Sequence, residues 1–328
     1  MMTFVLQDSF SRKFKYLRLS LTEKCNFRCQ YCLPEGFIQR NSADYLRSEE
    51  ILNLAWAFRE LGIEKIRLTG GEPTLREDVC EIVANLKREV GLPRVMLTTN
   101  GYRLHSLARK LRDSGLDGVN VSLDSLSPQN FHRITGSTRG DGVRESIDEC
   151  VKIGFESVKV NCVVMAGLND HEFFDFVEFV RRRPISVRFI ELMRTDENLE
   201  FFRRHHLRLR PLAETLQDQG WLLQNFGPMS GPAREYSHPD YRGTIGFIEP
   251  YAQDFCLSCN RLRVSARGQL ELCLFGDQRK DLRELLQDSD SREDLKEEVL
   301  MALKLKPRAH RLNEQYSGER HSLSTIGG

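Results

Sequence analysis

The sequence predicts an α/β protein whose main part is an incomplete, TIM-like (β/α)6 barrel, with parallel strands inside and helices outside. Short apolar segments alternate with helical segments six times between residues 14 and 210, which is typical of βα units. A closed eight-stranded barrel takes about 250 residues, so six units favour an incomplete one. Beyond residue 210 the helical periodicity gives way to turns and shorter strands, which predicts a C-terminal antiparallel extension.

The six strands are expected where alternating or continuous apolar runs meet turn residues. They cover residues 16–21, 65–69, 94–99, 118–123, 158–165 and 187–193. Strands of the extension are expected at 244–248, 262–266 and 269–274. We therefore divide the chain into an N-terminal arm (1–13), the partial barrel (14–210), a C-terminal region (211–308) and a tail (309–328).

Composition excludes several classes of function. The 48 Lys and Arg residues nearly balance the 47 Asp and Glu residues, and a net charge of +1 argues against a nucleic-acid partner held by overall charge. No apolar run is long enough for a membrane span, and the first residues lack a signal-peptide core. We therefore expect a cytoplasmic protein without a membrane partner. Nine cysteines in such a chain favour metal binding over disulfides.

A group of three cysteines follows the first predicted strand in a C-x3-C-x2-C spacing: Cys25, Cys29 and Cys32. An iron-sulfur cube normally takes four cysteine ligands, so three would leave one iron open to a small chelating molecule. A structural zinc ion needs a fourth ligand, and the closest candidates in sequence, Cys80 and His105, are distant. A disulfide is disfavoured because the local number of cysteines is odd.

A second group of three cysteines lies in the C-terminal region: Cys256, Cys259 and Cys273. It again has no obvious fourth ligand, so the extension is predicted to carry a second iron-sulfur cluster. Zinc stays open as an alternative at this group, because His238 could complete a tetrahedral site.

Five basic residues lie on predicted barrel strands, where a polar side chain needs a reason: Arg18, Lys65, Arg67, Lys159 and Arg188. Any one of them could face solvent or form a salt bridge. Together with Arg261 and Arg263, beside the second cysteine group, they predict a cationic lining. Such a lining suits a triphosphate, because arginine binds phosphate oxygens bidentately.

The first cysteine group, with Asn26 and Tyr31 interleaved, resembles the radical S-adenosylmethionine (SAM) superfamily. Further segments narrow the resemblance to the GTP 3',8-cyclase family, which catalyses the first step of molybdenum cofactor biosynthesis. These segments are Gly70-Gly71-Glu72-Pro73, Thr98-Thr99-Asn100-Gly101, residues 121–125 and 188–193, Cys256-x2-Cys259-Asn260-Arg261-x-Arg263, and the terminal Gly327-Gly328. The resemblance runs from about residue 14 to the last residue.

The resemblance implies a lyase that converts GTP to (8S)-3',8-cyclo-7,8-dihydroguanosine 5'-triphosphate with two [4Fe-4S] clusters and SAM. The first cysteine group would hold the cluster that cleaves SAM, and the second would hold the cluster that binds guanine. The implied SAM contacts are Tyr31, Gly71, Ser122 and Met193. The implied GTP contacts are Arg18, Lys65, Arg67, Thr98, Lys159, Arg188, Arg261 and Arg263. Catalytic roles are implied for Arg261, Arg263, Gly327 and Gly328.

The resemblance also implies partners: GTP as substrate, an electron donor, and cyclic pyranopterin monophosphate synthase as the downstream enzyme. It leaves a homodimer open as one oligomeric state. Two alternatives of other classes remain. A peptide-modifying radical SAM maturase with an auxiliary cluster would carry more C-terminal cysteines, and a non-enzymatic zinc module would contain zinc and no sulfide.

Overall fold

In the computed structural model, which describes residues 5–38, 45–224 and 231–318, the six predicted strands form one parallel sheet in chain order. They are β1 (Tyr16–Ser20), β2 (Lys65–Thr69), β3 (Arg94–Thr99), β4 (Gly118–Ser122), β5 (Ser157–Val164) and β6 (Ser186–Glu191). Neighbouring strands are parallel throughout, as connections through helices require. The predicted partial barrel is confirmed, and each strand end lies within two residues of its prediction.

Helices connect the strands and cover one face of the sheet. They are α1 (Ser48–Glu60), α2 (Val79–Arg88), α3 (Leu104–Asp113), α4 (Pro128–Thr135), α5 (Gly140–Ile153), α6 (Phe173–Phe179), α7 (Leu199–His205), α8 (Arg210–Asp218) and α9 (Arg292–Leu303). Short 3-10 helices occur at Pro73–Leu75, Asp170–Glu172, Glu284–Leu286, Ser289–Ser291 and Leu312–Glu314. The buried residues of α2 recur at helical spacing and join the main apolar core: Val79, Ile82, Val83 and Leu86.

The two faces of the sheet differ in chemistry. Side chains alternate along a strand, so Ile66 and Leu68 of β2 join the apolar core whereas Lys65 and Arg67 lie on the opposite face. In-register pairing places Arg67 directly beside Arg18 of β1, so the basic residues of neighbouring strands share this inner face. All five residues of β2 are nevertheless buried. The basic side chains are therefore held inside the molecule and not on its surface.

The strands after residue 210 extend the barrel sheet at both of its edges. They are β7 (Leu222–Gln224), β8 (Arg234–Ser237), β9 (Thr244–Ile248), β10 (Arg261–Val264), β11 (Gln269–Glu271) and β12 (Arg279–Asp281). Strand β9 pairs with β6 and strand β10 pairs with β1, both in parallel. Within the described residues the twelve strands form one open sheet with the order β12-β11-β10-β1-β2-β3-β4-β5-β6-β9-β8-β7.

The expected antiparallel extension is present in the outer hairpins, β7-β8-β9 and β10-β11-β12. The parallel pairing of β9 and β10 with the barrel was not predicted. Alternation of side chains identifies a strand but not its partner, and the open edges of a six-stranded sheet leave backbone groups to be paired. Both parts of the chain contribute to one sheet, so the sheet itself does not mark the predicted boundary near residue 210. The division of the chain at that residue stays a prediction.

None of the helices in the described ranges has the length and apolar composition that crossing a bilayer requires.

Candidate active site

The three cysteines of the first group line one cavity, together with residues that end or follow strands β2 to β6. The cavity encloses about 1140 Å³, including space that is open to solvent. A tight turn brings two of the thiols together, since the backbone nitrogens of Cys32 and Leu33 both donate to the Cys29 carbonyl, at 3.0 and 2.9 Å. The side-chain amide of Asn100 lies 3.9 Å from the Cys25 sulfur. Three thiols and one open space are thus available to a single ligand.

The Gly70-Gly71 turn after β2 holds the cysteine loop by its backbone. The nitrogen of Gly71 donates to the Thr22 carbonyl at 2.8 Å. A Cβ atom at Gly71 would lie 2.3 Å from the Lys24 carbonyl oxygen and 2.5 Å from that of Glu23. A side chain is therefore excluded at Gly71 by the cysteine loop itself, in addition to any contact with a ligand.

Glu72 joins this turn to the next strand, a role that the sequence analysis did not assign. Its fully buried carboxylate accepts hydrogen bonds from the Thr99 hydroxyl at 2.7 Å and the Asn100 nitrogen at 2.6 Å. Burial raises the pKa of Glu72, and these donors oppose the rise. The sequence feature that could have indicated this role of Glu72 is a carboxylate that follows two glycines at the end of a strand.

All four residues proposed to contact SAM line this cavity: Tyr31, Gly71, Ser122 and Met193. The structure also ties two of them to each other, because the Asn198 side-chain amide donates to the carbonyls of both Tyr31 and Met193 at 3.0 Å. The Tyr31 hydroxyl donates to the Asp124 carboxylate at 2.9 Å. Asn198 and Asp124 therefore fix the cavity wall, and the sequence analysis gave neither residue a role.

Among the described residues, two side-chain amides and an arginine of the inner face each have a buried polar atom without a hydrogen-bond partner. In the amides these atoms are the side-chain carbonyl oxygens of Asn120 and Asn161, and Asn161 lines the cavity. In the arginine it is the Nε atom of Arg263. Buried polar atoms are nearly always paired in proteins, so three such atoms on one face indicate a place for a polar ligand.

The proposed GTP contacts occupy the same inner face. Arg263, Arg18 and Arg67 lie side by side on β10, β1 and β2. Thr98 both lines the cavity and accepts a hydrogen bond from Arg67, at 3.4 Å. The cysteine cavity and the row of arginines are thus adjacent parts of one space. The sequence indicated this only indirectly, because it placed the cysteines directly after a barrel strand and the basic residues on the barrel strands.

Tyr16 lies within this cationic row, and the sequence analysis missed it. Arg67 donates from Nε to the Tyr16 hydroxyl at 2.6 Å, and the Lys65 ammonium lies 4.7 Å from the ring centre. Burial would raise the pKa of Tyr16, but Arg67, Arg18 and Lys65 together lower it to about 7. For Lys65 burial acts in the other direction and is the main cause that lowers its pKa to about 8. The row is therefore dense enough in positive charge to favour an anion.

The second cysteine group lies beside the arginine row. Cys256 and Cys259 form a turn just before β10, and the Cys259 nitrogen donates to the Cys256 carbonyl at 3.2 Å. Cys273 follows β11, so the pairing of β10 with β11 brings it towards the other two. Burial would raise the pKa of Cys259, but Arg261 and Lys306 lower it to about 6, which favours the thiolate form that binds metals.

Two basic residues outside the predicted set support this group. Arg12 of the N-terminal arm donates to the carbonyls of Cys256 at 3.1 Å and Pro307 at 2.7 Å. Lys306 is buried and donates to the Leu272 carbonyl, next to Cys273. The arm and the segment after α9 therefore close around the second cysteine group.

In the described ranges, no set of three His, Cys, Asp or Glu side chains converges closely enough to hold a single metal ion. A cluster makes a different demand, because each cysteine of a cube binds a different iron and the sulfurs need not meet at one point. The two predicted catalytic glycines, Gly327 and Gly328, lie outside the described residues.

Two family models match the chain. The model described as the Radical SAM superfamily matches residues 19–180, and the model described as Molybdenum Cofactor Synthesis C matches residues 185–312. Proteins named GTP 3',8-cyclase match over nearly the full length. One from Haemophilus influenzae (strain 86-028NP) is 48% identical over 98% of this chain and 96% of its own length. One from Yersinia pestis is 47% identical over 98% of this chain and 99% of its own length.

Solved structures with a similar fold include SuiB from Streptococcus suis. It matches with a TM-score of 0.61 and 14% identity, covering 88% of this chain and 69% of that chain. SuiB bound to its precursor peptide SuiA matches with a TM-score of 0.59 and 14% identity, covering 86% and 66% of the two chains. At this identity the likeness shows the fold alone.

Proposed function

The chain belongs to the GTP 3',8-cyclase family of radical SAM proteins, and from this membership we propose that it converts GTP to (8S)-3',8-cyclo-7,8-dihydroguanosine 5'-triphosphate. This lyase reaction is the first step of molybdenum cofactor biosynthesis. The observation that carries the proposal is the continuity of the inner face, where Thr98 borders the three-cysteine cavity and contacts Arg67 of the cationic row. The near-full-length relatives favour this activity over a peptide-modifying one.

The first cysteine group would hold one [4Fe-4S] cluster with an iron left for SAM, and that cluster would supply the electron that cleaves SAM. Tyr31, Gly71, Ser122 and Met193 would bind SAM against the cavity wall. Their positions support this role, because all four line the cavity that the cysteines share. Asp124 and Asn198 would keep this wall in place through their hydrogen bonds to Tyr31.

The cationic row would bind the GTP phosphates and neutralise their charge, since arginine forms paired hydrogen bonds to phosphate oxygens. Its members are Arg18, Lys65, Arg67, Lys159, Arg188, Arg261 and Arg263, and Thr98 would add a hydroxyl contact to GTP beside Arg67. Cys256, Cys259 and Cys273 would hold a second [4Fe-4S] cluster at which guanine binds. Arg261 and Arg263, the members of the row on the strand next to that group, would orient the reacting ribose, and Gly327 and Gly328 would complete the site.

The pathway supplies the remaining partners of the proposal. The protein would receive electrons from a cytoplasmic donor and deliver its product to cyclic pyranopterin monophosphate synthase. Its near-zero net charge supports a small-molecule substrate and no nucleic-acid partner. A homodimer is compatible with this role, and the chemistry described above requires residues of one chain only.

The test is an anaerobic reaction of the reconstituted protein with SAM, a reductant and GTP, followed by mass spectrometry. We expect 5'-deoxyadenosine and cyclised GTP to appear together. Deoxyadenosine without a GTP product would show that the substrate is wrong. Neither product, from protein with intact iron-sulfur clusters, would overturn the proposal.

Single cysteine variants test the two-cluster arrangement. Cys259→Ala should lose the iron of one cluster and all GTP product, while cleavage of SAM persists. Cys29→Ala should lose the iron of one cluster and both products. A colourless protein that contains zinc and no sulfide would instead support the zinc alternative.

A further inference from the structure

The carboxylate of Glu235 lies among the basic residues of the inner face. Glu235 of β8 is buried, and one of its oxygens contacts both the Arg188 guanidinium and the Lys159 ammonium, the latter at 3.4 Å. Its other oxygen accepts hydrogen bonds from the hydroxyls of Ser186 at 3.2 Å and Thr244 at 3.3 Å. Each oxygen of Glu235 therefore has two partners, which fixes the side chain in one orientation.

The backbone leaves room for this side chain. Glu235 pairs with Gly246 of β9, which in turn pairs with Arg188 of β6. A Cβ atom at Gly246 would lie 3.2 Å from Cγ of Glu235 and 3.3 Å from Cγ of Arg188, closer than most such contacts. The absence of a side chain at residue 246 thus lets Glu235 reach across one strand to the two cations.

A buried carboxylate in a phosphate site needs an explanation, because it repels the ligand that the site would bind. We propose that Glu235 is a positioning residue of the nucleotide site, whose carboxylate holds the Lys159 ammonium beside Arg188 before the triphosphate arrives. The proposal deepens the GTP-binding function stated above and rests on it. In this role Glu235 acts through Lys159 and need not contact the nucleotide.

The charge environment of Lys159 gives the proposal a measurable consequence. Burial, Arg188 and Arg67 lower the pKa of Lys159, whereas Glu235 raises it, and the balance leaves this pKa at about 8. These are the charged groups that face Lys159 from β6, β2 and β8. Without the carboxylate the pKa of Lys159 falls below about 8, so the ammonium loses its proton near neutral pH. A neutral lysine then contributes little to phosphate binding.

The experiment compares the wild-type protein with Glu235→Gln, which keeps the shape of the side chain and removes its charge. Full-length, anaerobically reconstituted protein is dialysed to equilibrium against GTP without SAM or reductant, at pH 6.5 and pH 8. The quantity compared is the Kd at pH 8 divided by the Kd at pH 6.5. Direct repulsion of phosphate by Glu235 changes both Kd values alike, so it cancels in this ratio. We expect this ratio to rise roughly fivefold in the variant, as a fall of about one pKa unit predicts.

Inorganic triphosphate, tested in the same way, should show the same change, because the effect concerns the phosphates and not the base. Glu178→Gln is the matched control, since Glu178 is an exposed carboxylate paired with Arg181 on the surface, and its ratio should equal that of the wild type. The double variant Glu235→Gln with Lys159→Arg should return the ratio to the wild-type value or below it, because arginine keeps its charge.

An unchanged ratio in Glu235→Gln would overturn the inference, and so would a loss of binding that is equal at both pH values and is not rescued by Lys159→Arg. If Glu235→Gln fails to fold, Lys159→Arg in the otherwise unchanged protein serves as the test. Its ratio should fall below that of the wild type, and an unchanged ratio would again overturn the inference. Failure of the proposed function is distinct, since the wild-type protein would then not bind GTP at either pH.

Discussion

Arg18 of β1 and Arg263 of β10 lie side by side in parallel register, although they come from opposite ends of the chain. Burial lowers the pKa of Arg18 to about 10, and burial together with Arg261 and Arg18 lowers the pKa of Arg263 to about 9. Like charges held together in a buried site cost folding free energy unless an anion meets them. The pair therefore supports the proposal that this site binds an anionic substrate.

Loss of an arginine next to the second cysteine group should separate use of GTP from cleavage of SAM. We expect Arg261→Ala and Arg263→Ala each to lower kcat/KM for GTP by about 100-fold, since removing one charged partner of a buried contact costs several kcal/mol. Formation of 5'-deoxyadenosine should continue, because the first cysteine group is untouched. Mass spectrometry of both products measures the effect.

The matched control for these variants is Arg210→Ala, because Arg210 is an exposed arginine that pairs with Glu214 on the surface of α8. Its kcat/KM for GTP should equal that of the wild-type protein. Normal turnover of GTP in both Arg261→Ala and Arg263→Ala would contradict the proposed role of these residues in the site.

Deletion of Gly327 and Gly328 should abolish the cyclised product while both clusters remain. Residues without side chains can enter a narrow pocket, and we proposed above, from the family resemblance, that these two glycines complete the active site. Iron and sulfide content and the absorption spectrum should match those of the full-length protein, which would show that the loss is not one of assembly. The prediction is wrong if the truncated protein turns over GTP at the normal rate.

Gly71→Ala should disrupt the first cysteine group by a steric effect. The added methyl group would lie 2.3 Å from the Lys24 carbonyl oxygen, so the loop that carries the cysteines must move. We expect reconstituted Gly71→Ala to lose the iron of one cluster and to stop cleaving SAM.

Gly142→Ala is the matched control for this substitution. Gly142 lies inside α5, and apart from its two chain neighbours and the backbone of its own helix, no atom of the described residues comes within 4 Å of an added Cβ. Alanine favours a helix over glycine by about 1 kcal/mol, so this variant should keep its iron and become slightly more stable. Full iron content in Gly71→Ala would contradict the steric argument.

The order of the six barrel strands was accessible from the sequence because repeated βα units favour parallel strands in chain order. The inner position of their basic residues was accessible because side chains alternate between the two faces of a strand. Lys65 and Arg67 illustrate this, since they alternate with Ile66 and Leu68, which must face the core. The cysteine groups were equally accessible, since their spacing is short. Their predicted roles agree with where they lie in the fold and await the experiments above.

What the sequence could not reveal are contacts between segments distant in the chain. Glu235 follows an arginine in a short strand and has the pattern of an edge residue, so nothing local indicates its contacts with Lys159 and Arg188. Arg12 lies in an arm to which we gave no role, and its contact with the Cys256 carbonyl depends on how the tail of the chain returns. The contacts of Glu235 and Arg12 depend on where the C-terminal strands and the end of the chain pack against the barrel. Side-chain alternation along a strand does not encode this packing.

A histidine outside the active site should make the protein sensitive to acid. His206 follows α7 and stacks in a tilted arrangement on Phe202, with ring centres 4.5 Å apart, and it contacts the ring of Tyr251 edge-on at 4.9 Å. Burial, with the nearby charge of Arg208, lowers the pKa of His206 to about 4. Its Nε2 atom has no hydrogen-bond partner among the residues that the structure describes.

Because the folded protein disfavours the protonated ring, the unfolded chain binds the extra proton between pH 6.5 and pH 4, and stability is lost as the pH falls through this range. Because the ring is only half-buried and solvent screens part of the effect, the loss due to His206 should be about 1 kcal/mol by pH 5.5. His206→Phe keeps the stacked ring and removes the proton, so its unfolding free energy should fall less between pH 8 and pH 5.5. Chemical denaturation at the two pH values measures the unfolding free energy. His105→Gln is the control, because His105 is exposed and this variant should show the same fall as the wild-type protein. An equal fall in His206→Phe and the wild-type protein would show that the ring is already protonated in the folded state.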